Sequence, residues 1–156
     1  MPGHQAEILE SRRRLRFPPP APLRKMNRET SNLPGMSDMD SLFLRIIARE
    51  VPADVVREND RVIAIRDINP QAPTHVLVVP KKRYRNVGEL AAADPELLAE
   101  LITVAREIAE QEGIAESGYR LLFNTNADAG QTIFHVHLHL LGGEPLGGLT
   151  GGPLNG

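Results

Sequence analysis

From residue 134 to residue 140 the chain reads Phe-His-Val-His-Leu-His-Leu, so histidine and apolar residue alternate strictly. A period of two belongs to a half-buried strand, because successive side chains of a strand leave opposite faces. Wound into a helix, the same residues would scatter their histidines around the axis. The run therefore requires a sheet. Phe134, Val136, Leu138 and Leu140 form a face that needs a covering layer. His135, His137 and His139 share the other face, which is expected to look toward an open surface.

The neighbouring segments supply the rest of that sheet and its cover. In "DSLFLRIIARE", Phe43, Ile46 and Ile47 follow helical spacing, with Asp40 as the expected N-cap and Pro52 as the stop. "ADVVRENDRVIAIRD" predicts two strands around a turn at 58–60. "DINPQAPT" is a loop, since Pro70 and Pro73 suit neither ladder nor helix. "HVLVV" is a short buried strand stopped by Pro80. The longest predicted helix starts at Asp94 and Pro95 and ends before Gly113. Its apolar stripe is Leu97, Leu98, Leu101, Ile102, Ala105, Ile108 and Ala109. "GYRLLFN" is a strand, "TNADAG" a polar loop, and "QTIFHVHLHLLG" one long strand. Strands that follow one another without helical crossovers predict an α+β fold, an antiparallel sheet with helices packed on one face.

Three regions are expected. Residues 1–38 read as a disordered or extended tail, since "RRRLRFPPPAPLRK" packs a basic cluster with four of the 13 prolines and shows no apolar period. Residues 39–143 form the folded domain, and 144–156 a flexible Gly-rich tail. Met36 and Met39 stand where the globular pattern begins, so the upstream part reads as an extension or an early start. Glu7, Glu10 and Glu29 count against a transit peptide, which is acid-poor.

Composition excludes several classes. With no Cys there is no disulfide and no thiolate metal site. No apolar run reaches the roughly 20 residues of a membrane span, and no secretory signal is evident. A cytoplasmic setting is expected. Residues 1–35 carry seven basic and three acidic side chains, and the remainder 11 and 17, so the body is acidic. An acidic body makes a poor binder of nucleic-acid polymers, whose phosphates are held by Lys and Arg. Lys81, Lys82 and Arg83 could steer a small anion, although a solvated charge run explains them more simply. His4 lies in the tail, away from the other histidines.

Three alternating histidines admit three explanations. They could be tolerated polar residues on a wet face, but strict alternation opposite an apolar face argues against that. They could bind zinc, since three histidines are a catalytic zinc set. The first and third are about 13 Å apart along a straight strand, however, and nitrogens about 2 Å from one ion would need a bulge or a ligand from elsewhere. They could also divide the tasks of nucleophilic catalysis. A neutral imidazole attacks phosphorus well, a neighbour must fix its tautomer, and further donors must hold the developing charge. "DAGQT", residues 128–132, offers small residues and backbone N–H groups to phosphate oxygens just before the first histidine.

"HVHLHLLGG" resembles the histidine-triad (HIT) signature. "DINPQAPTHVLVVPKK" and "GYRLLFNTNADAGQTIFHVHLHLLGG" resemble the purine-nucleotide-binding, HINT-like branch of that family, and the likeness runs from about Leu42 to Gly143. The resemblance implies a HIT-like fold and a hydrolase acting at the α-phosphorus of purine nucleoside phosphoramidates or acyl-nucleotides, derivatives of AMP or GMP. His137 would attack and carry the nucleotide transiently, His135 and His139 would assist, and His75 would be a fourth site histidine. Asp67 would hold the ribose and Ile68 pack on the base. Asn124, Gly130, Gln131 and Thr132 would surround the phosphate. A homodimer is implied, with no cofactor required. Zinc is not expected, because "FLRI" stands where the family often has cysteines in "FCKI". The chain also lacks the Trp common in the family's C-terminal segment. The alternatives are a dinucleoside polyphosphate hydrolase, a nucleotide-binding regulator with little turnover, and a metal-dependent hydrolase.

Overall fold

A computed structural model describes residues 39–149; the expected tail 1–38 and residues 150–156 of the C-terminal tail lie outside the described residues. The elements are α1 (Leu42–Ile47), β1 (Val55–Glu58), β2 (Val62–Arg66), β3 (Thr74–Pro80), α2 (Val87–Ala93), α3 (Pro95–Gln111), β4 (Tyr119–Leu122), a 3-10 turn (Ala127–Ala129) and β5 (Leu138–Gly142). One five-stranded sheet runs in the order β1-β2-β3-β5-β4. Every neighbouring pair is antiparallel, as the sequence predicted.

Local chemistry explains the element ends. The Asn59 side chain accepts from the backbone N–H groups of Arg61 and Val62, both at 2.9 Å, and so closes the β1–β2 hairpin. Asp94 caps α3 by accepting from Leu97 N–H at 3.0 Å, with Pro95 behind it in the first turn. Asn86 does the same for α2 through Glu89 N–H at 3.0 Å, a helix that the sequence did not predict. α1 ends at Ile47, five residues before Pro52, and Arg49 turns the chain at φ +63.

Alternation sorts the sheet's side chains. Val62, Ala64, Val76, Val78, Leu138 and Leu140 meet Leu90 of α2 and the buried stripe of α3. That stripe is Leu97, Leu101, Val104, Ala105, Ile108 and Ala109. Val104 belongs to it, whereas Ile102 is 39% exposed, because 97, 101, 104 and 108 hold the 3.6-residue period and 102 drifts off it. The opposite face carries Ile63, Ile65, Leu77 and Val79 under Phe43 and Ile46 of α1. Thus α2 and α3 cover the predicted face, and the short α1 covers part of the other.

The structure departs from four expectations. The long strand at 131–142 is shorter, with its ladder to β3 beginning at Leu138, opposite Val78. Continued register would set Val136 against Pro80, which has no N–H to offer. Val136 N–H instead donates to Tyr84 O at 2.8 Å, and the chain leaves the sheet. Phe134 accordingly misses the helix-facing core and lies beneath the Arg85 guanidinium, 4.2 Å from its ring centre. Asp40 does not cap α1. Its carboxylate accepts from Phe134 N–H at 2.7 Å, and Ser41 stands at the N-cap with no side-chain capping bond. Finally, the three histidines do not face an open surface. All three are buried, and Phe43 of α1 packs on the rings of His135 and His137.

Candidate active site

The sheet brings His75 and His139 together. In the β3–β5 register Leu77 lies opposite His139 and Leu141 opposite His75, so the two histidines are diagonal neighbours on one face. His75 Nε2 and His139 Nδ1 are 2.9 Å apart. His137 lies beside them, its ring centre 5.0 Å from that of His139. Phe43 from α1 packs against His135 and His137, at 5.5 and 5.2 Å between centres.

The hydrogen bonds fix the tautomers. Gln71 N–H donates to His75 Nδ1 at 3.0 Å, so that nitrogen holds a lone pair. The proton of neutral His75 is then on Nε2 and is donated to His139 Nδ1. His139 must carry its own proton on Nε2, a buried atom with no partner among the described residues. The His137 Nδ1–H donates to His135 O at 2.8 Å, which leaves the Nε2 of His137 a free lone pair. His135 donates Nε2–H to Pro80 O at 2.8 Å. Its Nδ1 is the buried acceptor left without a partner.

Electrostatics keeps the four rings neutral. Burial holds His137 below the ordinary imidazole range; the bond to His135 O and the Asp67 charge oppose the shift in part. Burial lowers His135 to about 4, although its bond to Pro80 O works the other way. Burial, with the neighbouring His137 and His75, lowers His139 to about 3. His75 is also lowered by burial, against the pull of Asp67, whose Oδ2 lies 3.4 Å from Nε2.

The remaining predicted residues divide. Asp67 joins the histidine cluster and closes its own turn by accepting from Asn69 N–H at 2.9 Å. Ile68, beside it, is 98% exposed, a large apolar side chain that none of the described residues covers. Asn124 is partly buried just beyond β4. Gly130 takes the left-handed conformation, φ +78, that ends the 3-10 turn, and with Thr132 it is exposed. Gln131 differs from the rest. Its amide oxygen accepts from Asn126 N–H, and its NH₂ donates to Arg85 O and Ile133 O, at 2.9–3.0 Å. Every bond of its side chain thus goes to backbone, which holds the loop and offers a phosphate nothing. Of the basic run, Lys81 pairs with Glu58 and Lys82 lies over Tyr84. Asp40 and Phe43, which hold the histidine segment from α1, had no sequence signal for that task.

Donor atoms of Asp67, His75 and His139 lie within 4.8 Å of one another, close enough to suggest a metal. They do not suit an ion. A metal on His75 Nε2 would force the ring proton onto Nδ1, where it would meet the Gln71 N–H head-on. Metal-bound histidines instead direct their second nitrogen at an acceptor.

A buried, neutral imidazole with a free lone pair, held by a backbone carbonyl and flanked by a second histidine N–H, is the apparatus of covalent nucleophilic catalysis. Comparison with known proteins finds relatives of this sequence and fold. The HIT domain family model matches residues 48–146. Over 108 residues the chain is 53% identical to the purine nucleoside phosphoramidase of Escherichia coli (strain K12), covering 69% of this chain and 91% of that one. It is 44% identical over 114 residues to the 14 kDa zinc-binding protein of Zea mays, covering 71% and 88%. A HIT family hydrolase from Legionella pneumophila superposes with a TM-score of 0.68 at 46% identity, covering 70% of this chain and 98% of that one. The chain belongs to the HIT domain family.

Proposed function

We propose that this protein hydrolyses purine nucleoside phosphoramidates and related acyl-nucleotides at the α-phosphorus. The observation that carries the proposal is the unprotonated Nε2 of His137, fixed by the 2.8 Å bond from Nδ1–H to His135 O. In the first step that nitrogen forms a bond to phosphorus as the bond to the leaving nitrogen breaks, and the amine departs with a proton taken from solvent, to which the attacking water later returns one. The imidazolium charge left on His137 is stabilised through Nδ1–H by the His135 carbonyl. His139 Nε2–H, backed by His75, donates a hydrogen bond where charge develops on the phosphoryl group or the departing atom. Water then attacks the same phosphorus and frees His137. Asp67 holds the ribose, and Ile68, exposed here, packs on the base. Gly130 and Thr132 lie at the phosphate, with Asn124 behind them. No cofactor takes part. The name of the phosphoramidase relative and the acidic body support a small purine nucleotide as substrate over a nucleic-acid polymer.

Among the described residues no helix is long and apolar enough to cross a membrane. That absence and the lack of cysteine agree with a cytoplasmic enzyme. We propose a homodimer formed through the long helix α3 and a sheet edge, with β4, one of the two outer strands, pairing with its counterpart.

The test is direct. Incubation with adenosine 5′-phosphoramidate should add one nucleotidyl group to His137, seen by mass spectrometry, and His137→Ala should abolish both adduct and turnover. Loss of a nucleophile exceeds the roughly 10²–10⁴-fold typical of a supporting acid–base group, so His135→Ala and His139→Ala should lose less. Turnover retained within a few-fold by His137→Ala refutes the mechanism. Tight AMP binding with no turnover by the parent would instead favour the nucleotide-binding regulator.

A further inference from the structure

The nucleophile belongs to a segment that the sheet does not hold. Ladder pairing begins at Leu138, so the backbone of 133–137 depends on other partners. They are three. Val136 N–H donates to Tyr84 O, Gln131 Nε2 donates to Ile133 O, and Phe134 N–H donates to the Asp40 carboxylate at 2.7 Å. The peptide units 133–134 and 135–136 are therefore pinned, one on each side of the Phe134–His135 link, and His135 O is what fixes the tautomer of His137. Asp40 supplies the one carboxyl among the three, and it is 5% exposed. A buried carboxylate on a backbone N–H makes a short, charge-assisted bond. It stands at the head of a helix, where its ordinary use is to cap, yet it reaches 94 residues along the chain instead. Phe43, three residues later, packs on the rings of His135 and His137. Asp40 and Phe43 both precede the 48–146 match to the family model.

We infer that Asp40 is a positioning residue for the nucleophile: through Phe134 N–H it holds the 133–134 peptide that leads into His135, and with it the placement of the His135 carbonyl that sets the orientation and tautomer of His137. It touches neither substrate nor reacting atoms. The inference rests on the proposed role of His137, so the test has one arm that needs no turnover.

Asp40→Ala removes the acceptor, whereas Asp40→Asn keeps a carbonyl oxygen at the same reach. On adenosine 5′-phosphoramidate, Asp40→Ala should lower kcat about tenfold or more while KM stays within about twofold, since a misplacement of about 1 Å can cost 10²-fold. Asp40→Asn should restore kcat to within about threefold of the parent. In ¹⁵N spectra of the histidine rings, His137 of the parent and of Asp40→Asn should show the Nδ1–H tautomer, and Asp40→Ala a mixture. Asp40→Ser, too short to span to Phe134, replaces the alanine variant if that one does not fold. The inference fails if kcat is unchanged, if KM alone moves, if the alanine and asparagine variants fall equally, or if the His137 tautomer is indifferent to the substitution. If the parent does not turn over the phosphoramidate, the proposed function fails by itself, and the ring spectra still decide the role of Asp40.

Discussion

Acidification should destabilise this fold well before its carboxylates titrate. His135 is 0% and His139 4% exposed, and in the folded chain they protonate only near pH 4 and pH 3. In the unfolded chain both return to about 6.5. A histidine whose folded pKa is depressed leaves stability intact above 6.5. As pH falls below that value the unfolded state takes up protons that the native state refuses, and stability is lost until the folded pKa is reached. Each pH unit crossed in that window costs about 1.4 kcal/mol per ring. Between pH 6.5 and pH 5 each ring therefore costs about 2 kcal/mol, and the two together about 4. That is a large part of the 5–15 kcal/mol typical of a domain. Burial lowers His75 and His137 too, so they act in the same direction.

The assay is thermal unfolding from pH 7.5 to pH 5.0 at one ionic strength and one protein concentration. At about 4 °C per kcal/mol, where the ranges for domains of roughly 60–100 and 150–250 residues meet, Tm should fall by roughly 15 °C. Most of the fall should come below pH 6.5. His135→Gln and His139→Gln each remove one titrating ring, and each should flatten the acid slope by a similar amount. A Tm that moves less than about 5 °C over this range, or a slope that both variants leave unchanged, would show that the rings are not held neutral by burial.

Three further outcomes are expected. Because His137 is lowered from 6.5 and reacts as the neutral ring, kcat/KM should stay level as pH falls from 7.5 to 6.5 and decline only below that, which a pH profile checks. Gly142→Ala should cost about 1–3 kcal/mol in denaturant unfolding. A Cβ there would come within 2.7 Å of Ile114 Cδ1 and 3.3 Å of Gly118 O. Light scattering should give twice the 17.2 kDa chain mass at micromolar concentration.

What the sequence could say about this protein depended on where the controlling partner lay. The α3 cap was legible because Asp94 acts on Leu97, three residues on. The sheet faces were legible because alternation is a local property that tertiary structure only ratifies: Leu138 and Leu140 went to the helices, His139 to the other side. Even Ile102 failed for a local reason, since one more turn of the same period would have preferred Val104. The other errors have a different origin, and they converge. The premature start of the strand, the displaced Phe134, the missing α1 cap and the structural use of Gln131 all concern residues 131–136 and what holds them. Their partners are Asp40, Pro80, Tyr84 and Arg85, between 46 and 94 residues away, and no periodicity within the segment encodes them. Alternation placed three histidines in one neighbourhood, but it could not say which nitrogen of each would be protonated. That is decided by two carbonyls and one N–H: Pro80 O for His135, His135 O for His137, and Gln71 N–H, through His75, for His139. Local rules give way where distant contacts impose a geometry that the chain would not choose alone, and such places are where function is expected. Here that place is the five residues leading to His137, which is why a reactive tautomer can be read from the fold and only a reactive residue type from the sequence.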